Sequence, residues 1–291
     1  MMTCGRRFLG ALALVGMLLA AGGAGAQGTA AGTLARIRQD RTIRIAYRED
    51  APPFSYLSKA DTPTGFMIDL CLAVTDNIAK QLGLASLAIS YVPVNTSNRF
   101  TAIEQHKADM LCGPTTATLA RREVVDFSLS TFVDGAGMMV ASDGPKSLKA
   151  LAGHKLGVLA GTTTEEELRT ALKNGGIAAE IVPVKSYEGG VAVLEDGKVS
   201  AFFAERAILA YLITTSKAPD RWLLSRNTLS IEPYALALPH GDENFRLAVD
   251  RALSEIYRSG EIAAIFRKAF GTEVQPGAAL QALYLITGLP Q

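Results

Sequence analysis

Residues 154–184 read HKLGVLAGTTTEEELRTALKNGGIAAEIVPV. An apolar run of strand character (154–160) leads through a run of three threonines (162–164) into a segment with three glutamates at its start and two glycines at its end (164–176), and a second apolar run (180–184) follows. Hydroxyl and acidic residues favour a helix N-terminus and glycine favours a C-terminus, so the middle piece is a helix between two strands. A strand returned to its own sheet through a helix lies parallel to its predecessor. The order continues with a helix around 187–197, the strand AFFAE (201–205) and a helix from 206.

Upstream the same alternation appears in TIRIAY (42–47), a helical pattern over 65–83, LAISYVPV (87–94), a short helix near 98–106 and ADMLCG (108–113). Met67, Cys71, Val74, Ile78 and Leu82 recur at helical spacing, a stripe that marks core, and Gly83 stands at the C-terminal cap position. Two α/β units therefore follow one another with no Pro- or Ser-rich linker between them. TFVDGAGMMVASD (131–143) and IEPYALALP (231–239) are both strand-like, and two helices are expected to close the chain. Two strand-like crossings between two lobes imply a hinge.

Arg6 and Arg7, the apolar FLGALALVGMLLA and the small residues AGA at 24–26 read as a secretory signal cut before Gln27. No cysteine stands directly after that segment to carry a lipid. Of 29 basic residues the signal takes two, which leaves 27 against 28 acidic ones, a balance that does not point to nucleic acid or anionic membrane. Export permits a bridge between Cys71 and Cys112, with two free thiols as the alternative.

The three histidines are far apart, and there is no Cys-x-x-Cys, nucleophile elbow, P-loop or dinucleotide fingerprint, so neither metal nor cofactor is implied. Polar clusters instead follow four strands: Arg48 with EDAPPFSY, NTSNRF (95–100), GPTTATLAR (113–121) and AGTTTEE (160–166). In parallel α/β sheets those strand ends face the ligand crevice, so the four clusters should share one cleft. Each also has a plainer reading: Thr118 as a cap for the turn holding Arg121, Glu165–Glu167 as complements to a helix N-terminus, Arg48 as a surface partner of Glu49.

At these residues the sequence resembles the periplasmic amino-acid-binding proteins of ABC importers, bacterial extracellular solute-binding family 3. YREDAPPFSY, NTSNRF, CGPTTATLARREVVDFS, GTTTEE and PDRWLL…EPYALAL look most like the glutamate/aspartate-binding branch. The resemblance implies an α/β fold of two Rossmann-like lobes joined by two hinge strands, the type II periplasmic-binding-protein fold. Lobe one would comprise 27–137 and 235–291, and lobe two 138–234. It further implies a monomer without enzymatic activity that captures a free amino acid by clamshell closure and delivers it to an inner-membrane permease and its ATPase.

On that resemblance Arg121, with the hydroxyl and backbone N–H of Thr116, would clamp the α-carboxylate, and Thr163 would reach it from the other lobe. Arg48, Thr96 and Arg99 would meet a side-chain carboxylate, since three arginines around one small ligand repel each other unless it carries more than one negative charge. The carbonyl of Pro114 would face the ammonium group. Two positions depart from the branch. Glu205 replaces the usual Asp at the ammonium, and Tyr187 replaces a histidine near the distal carboxylate. The alternatives are a periplasmic dehydratase of the prephenate or arogenate type, with Glu205 as its acid, and a receptor that presents its ligand to a sensor protein.

Overall fold

The computed structural model describes residues 32–290; the expected signal at 1–26 lies outside them. Helix α1 (Thr33–Asp40) precedes strand β1 (Thr42–Arg48), a small meander β2 (Asp50–Ala51), β3 (Ser55–Leu57) and β4 (Pro63–Thr64), then α2 (Phe66–Gln81), β5 (Ala88–Val94), α3 (Arg99–Glu104), β6 (Met110–Cys112) and β7 (Val125–Asp134). The middle third holds β8 (Ala136–Ala141), β9 (Lys155–Leu159), α4 (Thr163–Gly175), β10 (Glu180–Val184), α5 (Tyr187–Glu195), β11 (Ala201–Glu205), α6 (Arg206–Thr215) and β12 (Trp222–Leu224). The chain continues with β13 (Glu232–Pro239), α7 (Glu243–Ser259), α8 (Glu261–Phe270) and α9 (Ala278–Thr287).

Two five-stranded sheets result. The first runs β5-β1-β6-β13-β7, parallel from β5 to β6 and antiparallel where β13 and β7 join; the second runs β10-β9-β11-β8-β12, parallel from β10 to β11 and antiparallel at β8 and β12. Helix α2 packs its expected stripe inward: Met67, Cys71, Val74 and Ile78 are fully buried, and Gly83, at φ +69°, takes the left-handed turn after the helix. Cys71 on α2 and Cys112 at the end of β6 form a disulfide. It joins the helix to the sheet it covers.

Where two terminal helices were expected there are three, because α9 returns to the first sheet: Tyr284 donates to the Thr131 carbonyl at 3.2 Å and its ring lies 5.0 Å from that of Tyr257. The meander after β1 was also not read as structure; Phe54 within it packs edge-on against Phe66, Phe132 and Tyr234.

The chain passes between the sheets twice, through Gly135, the single residue separating β7 from β8, and through residues 225–231. The expected lobe divisions at 137/138 and 234/235 thus fall inside β8 and β13. The two crossings touch. A Cβ on Gly135 would stand 2.3 Å from the Ser230 carbonyl oxygen, so only glycine fits there, and the Ala136 amide donates to Ser230 Oγ at 3.0 Å.

Candidate binding site

The four polar clusters converge where the two sheets' strand ends approach each other. Arg48, the last residue of β1, is 2 % exposed; its Nε and Nη2 lie 2.9 and 2.6 Å from Asp50 Oδ1, and its guanidinium carbon is 5.7 Å from the Tyr187 ring centroid. Gly113 makes room for it, since a Cβ there would sit 3.2 Å from Arg48 Cγ. Arg48 is therefore not a surface partner of Glu49. Asp50 balances its charge, which corrects the expectation of three uncompensated cations.

Arg99 opens α3, is buried, and reaches the Gly161 carbonyl of the second lobe at 3.4 Å. Half-buried Thr96 lies beside the same glycine. Burial first, then the charges of Arg121 and Arg48, lowers the Arg99 guanidinium to about 9. Buried N–H groups without partners normally cost on the order of 1–3 kcal/mol each. Arg48 Nη1 and Arg99 Nε are two such groups, both without a partner among the described residues.

Half-buried Arg121 donates to the Thr116 carbonyl at 2.8 Å, and burial lowers its pKa against the opposing influence of Glu166, Glu232 and Glu205. Thr118 does cap this turn, accepting from the Arg121 amide at 3.2 Å. Thr116 forms a bridge with Tyr234 in which the flanking Ala117 and Ala235 amides make the hydrogen bonds. In such a pair the central residue's own N–H and C=O point away from the partner strand. Both groups of Thr116 therefore lie on the Arg121 side. Pro114 is buried two residues earlier in the same loop.

Across the cleft Thr162 caps α4, accepting from the Glu165 amide at 3.2 Å, which leaves Thr163 and Thr164 in the first turn of a 13-residue helix. Free amides at such an end attract anions. Thr164, whose buried hydroxyl has no partner among the described residues, was missed from sequence; its place in the Thr162–Thr164 run was the available signal.

Tyr187, at the start of α5, donates to Glu205 Oε2 at 2.7 Å, so its hydroxyl proton is committed to Glu205 rather than to a distal carboxylate. Burial, then the Glu205 charge, raises the Tyr187 phenol well above its ordinary value. Burial, then the nearby Glu232 charge, raises Glu205 to about 7. Asp134, where β7 meets the crossing, is raised by burial to about 6 although the Gly135 and Ala207 amides oppose this.

Glu232, at the start of β13, was also missed. It is 2 % exposed; Oε2 accepts from Thr116 Oγ1 at 2.6 Å and from Thr163 Oγ1 at 2.7 Å, and Oε1 accepts from Ser230 Oγ at 2.9 Å. The cleft is thus bipolar, with guanidinium groups toward β1, α3 and the turn after β6, and buried carboxyls toward the crossings. A zwitterion complements such a surface.

Two α/β sheets joined by two touching crossings, with a polar cleft between their strand ends, define a two-lobed solute-binding protein. The chain belongs to the bacterial extracellular solute-binding proteins, family 3, which it matches over residues 43–272. It is 31 % identical over 247 residues to an L-glutamate/L-aspartate-binding protein of Pseudomonas aeruginosa, covering 84 % of this chain and 82 % of that one. A glutamate/aspartate import solute-binding protein of Salmonella typhimurium is 29 % identical over 262 residues, covering 90 % and 86 %. Among solved structures, the ancestral amino acid-binding protein AncCDT-1, a precursor of cyclohexadienyl dehydratase, superposes with a TM-score of 0.72 at 25 % identity over 82 % of this chain and 99 % of that one.

Proposed function

We propose that this chain is the periplasmic receptor of an amino-acid ABC importer: exported as a monomer through the signal at 1–26, it binds a free acidic amino acid, closes its lobes on it and presents it to an inner-membrane permease driven by an ATPase. The observation that carries the acidic preference is the pair of buried guanidinium nitrogens, Arg48 Nη1 and Arg99 Nε, that have no partner among the described residues. Water cannot reach them, so the closed site is completed by a ligand that brings an acceptor, and a carboxylate is the strongest one.

In this reading Arg121, the Thr116 amide and the first turn of α4 take the α-carboxylate. Arg48, Thr96 and Arg99 take the side-chain carboxylate, and Glu205 with the Pro114 carbonyl receives the ammonium. Tyr187 acts through Glu205. The lobes are the two bodies built on the two sheets, and the names of the Pseudomonas and Salmonella relatives support the ligand class.

The test is a calorimetric titration with glutamate, aspartate, glutamine and asparagine, alongside small-angle scattering. Saturating glutamate should shrink the radius of gyration. Arg99→Met should weaken the two acidic ligands by at least about tenfold while leaving the amides nearly unchanged. Equal weakening of both kinds would replace the acidic assignment by a broader polar one, and an unchanged radius with confirmed binding would refute closure.

The dehydratase reading has one observation in its favour. A carboxyl held near 7 keeps a proton close to neutrality and could protonate a leaving hydroxyl. Incubation with prephenate and arogenate distinguishes the two; product formation abolished by Glu205→Gln would establish the enzyme.

A further inference from the structure

Glu232 has no place among the ligand contacts above, yet its carboxylate joins the two lobes. Oε2 lies 2.6 Å from Thr116 Oγ1, in the loop after β6 of the first sheet, and 2.7 Å from Thr163 Oγ1, at the start of α4 on the second; the two hydroxyl oxygens are 3.2 Å apart. The other oxygen is occupied by Ser230. No lysine or arginine pairs with Glu232 among the described residues, although it is 2 % exposed. A carboxylate buried in this way is tolerated only with several donors or a cation nearby.

The proton count decides what the threonines can do. A hydroxyl has one proton to donate and lone pairs to accept with, and a carboxylate only accepts. With both hydroxyl protons directed at Oε2, neither threonine side chain has one left for a ligand carboxylate, and each turns lone pairs toward the cleft.

We propose that Glu232 is a positioning residue that sets ligand polarity: by drawing the Thr116 and Thr163 hydroxyl protons to itself, it makes the pair an acceptor surface for the ligand's cationic end and leaves the α-carboxylate to Arg121 and the backbone amides. This rests on the amino-acid reading above and reassigns the two hydroxyls within it. The ligand's ammonium group also supplies the positive charge that Glu232 lacks, and it would lie between Glu232 and Glu205.

The test compares L-glutamate with glutarate, which has the same two carboxylates and no ammonium group, by calorimetry on wild type, Glu232→Leu, Glu232→Gln, Thr163→Val and Thr163→Ser. Glu232→Leu frees both hydroxyl protons, so the preference for glutamate over glutarate should fall by at least about tenfold. Glu232→Gln keeps an acceptor oxygen and should retain more of the preference than leucine does. Thr163→Val should lower the preference and Thr163→Ser should restore it, which decides the matter should Glu232→Leu fail to fold in a thermal melt. Weakening of both ligands by the same factor in Glu232→Leu and Thr163→Val would reduce Glu232 to a simple brace between lobes and overturn the proposal. Wild type that binds no amino acid would overturn the amino-acid reading and this inference with it.

Discussion

Ligand affinity should rise with pH between about 5 and 7 and level off above, because the empty site holds a proton on Glu205 that the ligand's ammonium group must displace. Burial and the Glu232 charge lift that carboxyl from its ordinary 4.5 to about 7, and Tyr187 from α5, Glu232 from β13 and Asp134 from β7 surround it. The folded, empty protein favours the protonated acid. Its stability therefore falls as pH climbs from the ordinary value and stops falling above the raised one. The difference corresponds to about 3 kcal/mol at about 1.4 kcal/mol per pH unit. An ammonium ion against the ionised carboxylate reverses the preference, so binding should strengthen by up to about tenfold per pH unit, with a ceiling of a few hundredfold. Calorimetry in two buffers of different ionisation enthalpy reads both affinity and proton release; close to one proton should leave per ligand near about pH 6 and fewer near about pH 8. Glu205→Gln should flatten the profile. A wild-type dissociation constant that stays within about twofold across this range, with no proton released, would refute the assignment of the ammonium to Glu205.

Arg121→Ala should weaken every amino-acid ligand alike by more than about tenfold, since truncating one partner of a buried charge-assisted pair costs about 2–5 kcal/mol; a change below threefold in calorimetry would return Arg121 to a structural role. The Cys71–Cys112 bridge closes a loop with a sequence separation of 41, for which chain entropy gives about 4 kcal/mol. Cys71→Ala with Cys112→Ala should lower the melting temperature while leaving the glutamate-to-glutamine affinity ratio unchanged.

Element order was largely legible because strands and helices alternate with clear changes of period, and residues 154–205 read almost to the residue. The elements not read were α1, α9, β12 and the β2–β4 meander, which are short; α9 and the meander owe their shape to tertiary partners such as Thr131, Tyr257 and Phe132. The strand-end rule located the arginines and threonines of the site. It was blind to their counter-charges. Asp50 was available from period-two geometry, which puts residues 48 and 50 on the same side of an extended chain, whereas adjacent Glu49 points away. Glu232 lay in a run read only as an apolar crossing, and an acid in such a run is itself the signal, because it must be satisfied once buried. The role of Tyr187 could not be read, since it depends on the 2.7 Å contact with Glu205, 18 residues away in sequence.

The contact between Gly135 and Ser230 binds the two crossings into one axle. In the proposed closure the lobes would turn about that line, with travel growing with distance from it. Ser230 in the second crossing and Glu232 just after it would then keep their neighbours longer than Arg99 keeps the Gly161 carbonyl. On the proposed ligand placement the lobes would part from the rim inward, exposing the ligand's side chain to water before its ammonium group.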